Sequence, residues 1–278
     1  MNSVALEDDE FRLISKLVYD KFGIKLSDQK KTLVIERLQK ILRTGGFFSF
    51  KDYYEYILKE PTGTAILTFI DKISTHHTFF FRESEHFEFL KNIGFPELTN
   101  AIRAQGRKEI KIWCAGCSSG EEPYSLAMIA NDYFKESAPG FEVSILATDI
   151  SVTSIEKAES GIYPAQSVMQ IPTLLRQKYF HSLGDGNFSI KKHLKDLILF
   201  RRLNLMRDSY PFKGKFDIIF CRNVMIYFDA PTRQKLIERY SRYTENHGYL
   251  MIGHSESIDR SCPFYKYIKP AIYKKISG

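Results

Sequence analysis

The sequence predicts two folded units: an all-α region, then an α/β domain with a mostly parallel sheet and helices on both faces. Three observations predict this. The first eighty residues carry helical periodicity and helix punctuation, with no strand pattern. Beyond them, the short apolar or β-rich runs "EIKIWCA", "EVSILATD", "LILFRRLN" and "FDIIFCRN" are separated by helical stretches. A glycine loop, "CAGCSSGEEPYS", follows the first of those runs directly.

In the first unit, Phe11, Ile14, Val18 and Phe22 fall on one helical face, and Gly23 is placed to stop that helix. Ser27 is a candidate cap for "DQKKTLVIERLQKILR", which ends at Gly45-Gly46. Ser49 precedes "FKDYYEYILKE", stopped by Pro61, and "TAILTFIDKIS" forms a fourth helix. We take residues 1–80 as this helical domain and 81–278 as the α/β domain. In the latter, "EPYSLAMIANDYF", "SVTSIEKAES" and "PTRQKLIERYSRY" are helices, and "GYLMIG" and "AIYKKI" are two late strands placed to pair antiparallel. The Gly184-Asp185-Gly186 turn suggests a small β-rich insertion over about 180–202.

Composition sets bounds on the rest. With 278 residues, 44% of them hydrophobic, the chain can bury a sizeable core. No apolar run reaches the roughly 18 residues of a membrane span. The stretch "MNSVALEDDEF" lacks the basic-then-apolar pattern of a signal peptide, so a cytoplasmic location is expected. Four cysteines make no disulfide framework, and a net charge of +7 favours an acidic partner or simply a solubilising surface.

The loop after the first strand occupies the position where α/β sheets bind ligands. Gly116 and Gly120 would let the backbone turn and approach a ligand. The loop lacks the Gly-Lys-Ser/Thr ending of a phosphate cradle. Glu121 and Glu122 follow instead, and two carboxylates at a helix start suit a ligand bearing positive charge. Asp149, ending the second strand, is placed to accept hydrogen bonds from ribose hydroxyls or to cap the next helix. Together these features suggest S-adenosylmethionine better than a dinucleotide. Cys114 and Cys117 lack a second ligand pair, and Cys221 and Cys262 are isolated, so no metal is expected. If the first and fourth strands are neighbours, Cys114, Cys117 and Cys221 would lie near the pocket and react with thiol reagents.

The stretches "THHTFFFRESEHF", "GCSSGEEPYSLAM", "ATDIS…IEKAESGIY", "FDIIFCRNVMIYFD" and "GYLMIGHSES" together resemble the CheR family of chemotaxis protein-glutamate O-methyltransferases. The resemblance runs from the first helix to the last strand. It implies a Rossmann-like S-adenosylmethionine-dependent methyltransferase domain with a small β-subdomain, after an all-α N-terminal domain. It implies methyl transfer from S-adenosylmethionine to receptor glutamates, giving methyl esters and S-adenosylhomocysteine, with no metal. By resemblance, Thr78 and Arg82 reach the cofactor, Arg82 beside the reacting centre. Glu122 holds the methionine amino group and Asp149 the ribose, while Asn204 and Leu205 line the adenosine pocket. Cys221 and Arg222 complete the site, and Tyr227 sits near the transferred methyl, so Arg82 and Tyr227 are the expected catalytic residues.

Two positions depart from the family pattern. His76 stands where Asn is usual, and the turn Leu183–Asn187 is shorter than in members that dock a receptor's C-terminal pentapeptide. The expected partner is the acidic cytoplasmic helical bundle of chemoreceptors, met by a monomer. Lys30, Arg37 and Lys40 fall within an arc of about 80° on one helix and would form the docking face. Two rivals stay open: a nucleic-acid methyltransferase, suggested by charge and aromatics, and a non-catalytic module that holds cofactor or receptor. The first lacks the Asn/Asp-Pro-Pro-aromatic motif of amino-methylating enzymes, since "RNVMIYF" stands there.

Overall fold

The structure, a computed structural model, describes residues 4–74 and 77–276, so His76 lies outside the described residues. Four helices come first: α1 (Asp8–Phe22), α2 (Lys31–Gly45), α3 (Phe50–Lys59) and α4 (Thr64–Ile73). Their apolar faces enclose a core of their own, around Ile14, Val18, Leu38, Phe50 and Phe69. Gly23 and Gly46 end α1 and α2, and Ser49 caps α3 through the Asp52 N–H at 3.0 Å. Ser27 does not cap α2. It precedes a 3₁₀ turn over Asp28–Lys30, and its side chain makes no capping bond.

A short helix α5 (Glu85–Phe89) continues through a π-helical turn, Leu90–Gly94, into α6 (Phe95–Ala104). Then come β1 (Glu109–Ala115), α7 (Glu121–Glu136), β2 (Glu142–Asp149) and α8 (Val152–Ser160). A small unit follows, built from β3 (Ile162–Pro164), α9 (Ala165–Val168), α10 (Thr173–Tyr179), β4 (Phe180–Ser182), β5 (Asn187–Ile190) and α11 (Lys192–Lys195). The chain returns to the main sheet with β6 (Ile198–Arg202) and β7 (Phe216–Cys221), then α12 (Ala230–Tyr243), β8 (Thr244–Ile252), β9 (Tyr265–Lys269) and β10 (Ile272–Lys275).

The seven-stranded sheet has the order β6-β2-β1-β7-β8-β10-β9. The first five strands run parallel; β10 pairs antiparallel with both β8 and β9. Both faces are buried, and alternate residues serve different cores. Ile112, Cys114, Ile218 and Phe220 face one, and Trp113, Ala115, Ile219 and Cys221 face the other. The order reverses between β1 and β7, which opens a crevice at their carboxyl ends.

The β-rich insertion has different limits from those expected. Its sheet, ordered β3-β5-β4, begins at Ile162, and the Gly184–Gly186 turn closes the β4–β5 hairpin. Residues 198–202 lie outside it, because Ile198–Arg202 extends the main sheet beside β2. The short extended stretch before the last strand is β9, an edge strand.

Candidate active site

One cleft lies between the two units, at the switch between β1 and β7. Its apolar wall comes from the helical domain through Phe22, Ile24, Leu26, Leu33 and Ile73. Its polar wall comes from the sheet and the segment after α4, and includes Thr78, Arg82, Glu122, Asp149, Arg222 and Tyr227. The units are stitched together at this rim. Ile24 forms a β-bridge with Phe228, the Lys25 N–H donates to the Tyr227 carbonyl at 2.9 Å, and the Tyr19 hydroxyl donates to Asp229 at 2.8 Å.

Asp149 organises the glycine loop. Its carboxylate accepts the Ser118 N–H at 2.8 Å and the Ser151 N–H at 2.9 Å, tying the ends of β1 and β2 together. The cap of α8 is Ser151, not Asp149. Gly116 and Gly120 have φ of 98° and 97°, open to glycine and strained for other residues. A Cβ there would strike protein, not empty space: Val224 at 2.3 Å from Gly116, and the Tyr163 hydroxyl at 2.7 Å from Gly120. The glycines therefore permit the loop to pack on its neighbours, and Gly116 also lines the cleft, where the sequence predicts close approach of a ligand. Ser118 Oγ is buried in the cleft wall without a hydrogen-bond partner among the described residues.

The two glutamates that start α7 diverge. Glu121 turns inward to the Ser119 hydroxyl at 2.7 Å and does not line the cleft. Glu122 does, and burial pushes its carboxyl up to about 7 against the opposing pull of Arg222. Arg222 is buried and holds Glu122 at 3.2 Å and Glu83 at 3.2 Å, and it donates to the Arg82 carbonyl. Glu83 also accepts from the Asn223 amide at 3.2 Å and the His254 N–H at 3.2 Å. Burial pushes the Glu83 carboxyl up, yet Arg222, Asn223 and His254 outweigh it and hold it below its ordinary value.

His86 is fully buried beside this network, 3.7 Å from Glu83, and stacks edge-on against His254. Burial drives its imidazole down to about 3, so it stays neutral at physiological pH. Glu83, His86 and His254 bring three ligand-type atoms within 4.8 Å. The Glu83 oxygens are already engaged by Arg222, Asn223 and the His254 backbone, so this carboxylate serves the Arg222 ion pair, with the neutral His86 packed beside it. Sequence reading missed Glu83, His86, Asn223, His254 and Glu256, although "FFFRESEHF" and "GHSES" stood among the distinctive stretches.

The cleft brings together Thr78, Arg82, Glu122, Asp149, Asn204, Leu205, Arg222 and Tyr227. Arg82 is half-buried, donates to the His77 carbonyl at 2.8 Å and lies over the Phe79 ring. The Asn204 amide reaches away to the Lys21 carbonyl at 2.8 Å. Cys221 is not brought in: its thiol lies 3.1 Å from the Tyr240 hydroxyl, on the other face of β7. The three cysteines Cys114, Cys117 and Cys221 are fully buried, and only Cys117 of them lines the cleft. Burial raises all three thiols well above their ordinary range, which removes the thiolate that a thiol reagent attacks.

The supposed docking arc also breaks up. Lys30 lies in the 3₁₀ turn and lines the cleft, and Lys40 is exposed. Arg37 donates to the Lys72 carbonyl at 3.2 Å and to the Ser74 carbonyl, satisfying the carboxyl end of α4. It is a structural tie between helices.

Residues 9–74 match the CheR methyltransferase all-alpha domain, and residues 76–271 match the CheR methyltransferase SAM binding domain. A chemotaxis protein methyltransferase of Borreliella burgdorferi is 46% identical over 98% of this chain and 96% of its own length. A probable chemotaxis protein methyltransferase of Rhizobium etli is 37% identical over 87% of this chain and 90% of its own. For the chemotaxis protein methyltransferase of Escherichia coli the figures are 37%, 91% and 86%. The chain belongs to the CheR methyltransferase family.

Proposed function

We propose that this protein transfers a methyl group from S-adenosylmethionine to glutamate side chains of chemoreceptors. Family membership supports methyl transfer in chemotaxis. One observation carries the finer reading: Arg82, Glu122, Asp149 and Tyr227, from four separate segments, line a single cleft at the sheet's switch point.

The side chains present fit the donor. Glu122, with its carboxyl near 7, is returned to the ionised form by a cation placed beside it, which suits the amino group of the methionine part. Asp149, at the end of β2, suits the ribose, and the unpartnered Ser118 Oγ offers a further polar contact. Thr78, Asn204 and Leu205 line the same cleft, as does Arg222, which holds Glu122 in place. When bound, S-adenosylmethionine supplies a methyl group activated by a sulfonium.

The chain's own residues have a modest chemical task. With a reference pKa of about 4.3, roughly one glutamate in 500 is protonated at pH 7, so the acceptor is already ionised. No general base is needed. Placement in line with the methyl is the main requirement, and good placement is worth effective molarities of about 10⁵–10⁸ M. Arg82 suits that work: its guanidinium lines the cleft, and among the described residues its only hydrogen-bond partner is one carbonyl. Tyr227, on the loop after β7, lines the same cleft and suits orienting the reacting groups through its hydroxyl.

The acceptor is the acidic helical bundle of a receptor's cytoplasmic part, met by a cytoplasmic monomer through exposed cations such as Lys30 and Lys40. No described helix is long and apolar enough to cross a membrane. The test is transfer of labelled methyl from S-adenosylmethionine to purified receptor. Base-labile label, lost when acceptor glutamates become glutamine, is the expected result. Label in RNA or DNA, or cofactor binding without turnover, would overturn it.

A further inference from the structure

Glu256 is a buried carboxylate with no cation against it among the described residues; its side chain belongs to the "GHSES" stretch just past β8. Burying such a group is costly unless its oxygens are well hydrogen-bonded. Here they are. One oxygen accepts the Asn223 N–H at 3.0 Å and the Gly253 N–H at 2.6 Å; the other accepts the Ile226 N–H at 3.1 Å. The carboxylate thus bridges the end of β8 to the loop after β7.

That loop is the one that carries Tyr227. Asn223 is held with φ of 58°, and Met225–Tyr227 forms a single 3₁₀ turn. Ile226, whose N–H bonds to Glu256, directly precedes Tyr227. On the far side, the Lys25 N–H bonds to the Tyr227 carbonyl. Glu256 itself does not line the cleft. Both of its oxygens are used as acceptors, so an amide would turn an NH₂ group toward N–H donors. An aspartate would be one methylene short of bridging the two segments.

We infer that Glu256 is a positioning residue for Tyr227: it latches the loop after β7 to β8 so that the tyrosine is fixed against the reacting groups. The inference rests on the role proposed above for Tyr227. It concerns turnover, since the side chains assigned to cofactor binding lie on other segments or, like Arg222, are held by their own network.

A double-mutant cycle tests it, using E256Q, Y227F and the pair in the full-length protein. Methyl transfer to receptor gives kcat, and calorimetry with S-adenosylhomocysteine gives product affinity. E256Q is expected to lower kcat at least about tenfold, equivalent to about 1.4 kcal/mol, with product affinity changed less than about threefold. In the Y227F background, adding E256Q is expected to change kcat by less than about twofold. Multiplying effects in the cycle, or product affinity falling in step with kcat, would overturn the inference while leaving Tyr227 in place. If Y227F alone turns over like the natural protein, both the inference and the assigned role of Tyr227 fail. Should E256Q not fold, E256D carries the same cycle: it keeps the charge and shortens the reach, and it must show the same loss of coupling in the Y227F background.

Discussion

Two arginines lie in one cleft and are held in opposite ways. Arg222 is sealed in, paired with Glu83 and Glu122 and flanked by the Phe87 and Phe220 rings. Arg82 is half-buried, with one carbonyl partner and one ring beside it. The first has spent its donors on the protein; the second keeps them for something else. The contrast separates a residue that builds the site from one proposed to meet an acidic acceptor, though both carry the same charge and come from stretches 140 residues apart.

Substitution at each arginine should sharpen that contrast. Arg222→Ala strands two carboxylates around a vanished cation, so a stability loss of about 3–5 kcal/mol by urea unfolding is expected, with product binding lost as well. Arg82→Ala should leave stability within about 0.5 kcal/mol and lower turnover about 100-fold or more, with product affinity little changed. The reverse pattern would break the comparison outright.

A subtler check uses pH. The Glu122 carboxyl sits near 7 and binds a cationic ligand only when ionised, so protonation competes with binding as pH falls through 7. S-adenosylhomocysteine affinity should weaken about tenfold from pH 8 to pH 6 by calorimetry. Glu122→Gln should be weaker throughout and flat over that range. A flat profile in the natural protein would take the amino group away from Glu122. The smallest effect belongs to the exposed cations: Lys30→Glu with Lys40→Glu should raise KM for receptor about three- to tenfold at low salt, and the shift should shrink as salt rises. Arg37→Glu should instead cost stability, because its partners are helix-end carbonyls.

Much of this was legible in the sequence because it is local. Strand, glycine loop and helix appear in order at residues 109–136, and helix stops such as Gly23 and Gly46 need only their neighbours. The long antiparallel end was visible too, except that β9 reads as an extended stretch until a partner strand is known. What escaped notice is non-local. Glu83 meets Asn223 across 140 residues, and Glu256 meets Ile226 across 30, and no periodicity announces either pairing. Arg37 looked like a free cation because nothing near it in sequence marks the end of α4. Cys221 could have been placed: a period of two along β7 sets it opposite Phe220, away from the face that Cys114 shares.

The bridge between Ile24 and Phe228 has a further consequence for how the site is solvated. A chain trimmed to its α/β domain would keep Arg82, Glu122, Asp149, Arg222 and Tyr227 but lose Lys25, Lys30 and the apolar screen opposite them. Bulk solvent would then flood the crevice, raise the local dielectric constant, and weaken each charge–charge attraction on which selectivity depends. The helical domain, on this view, acts as a lining that keeps the chemistry dry.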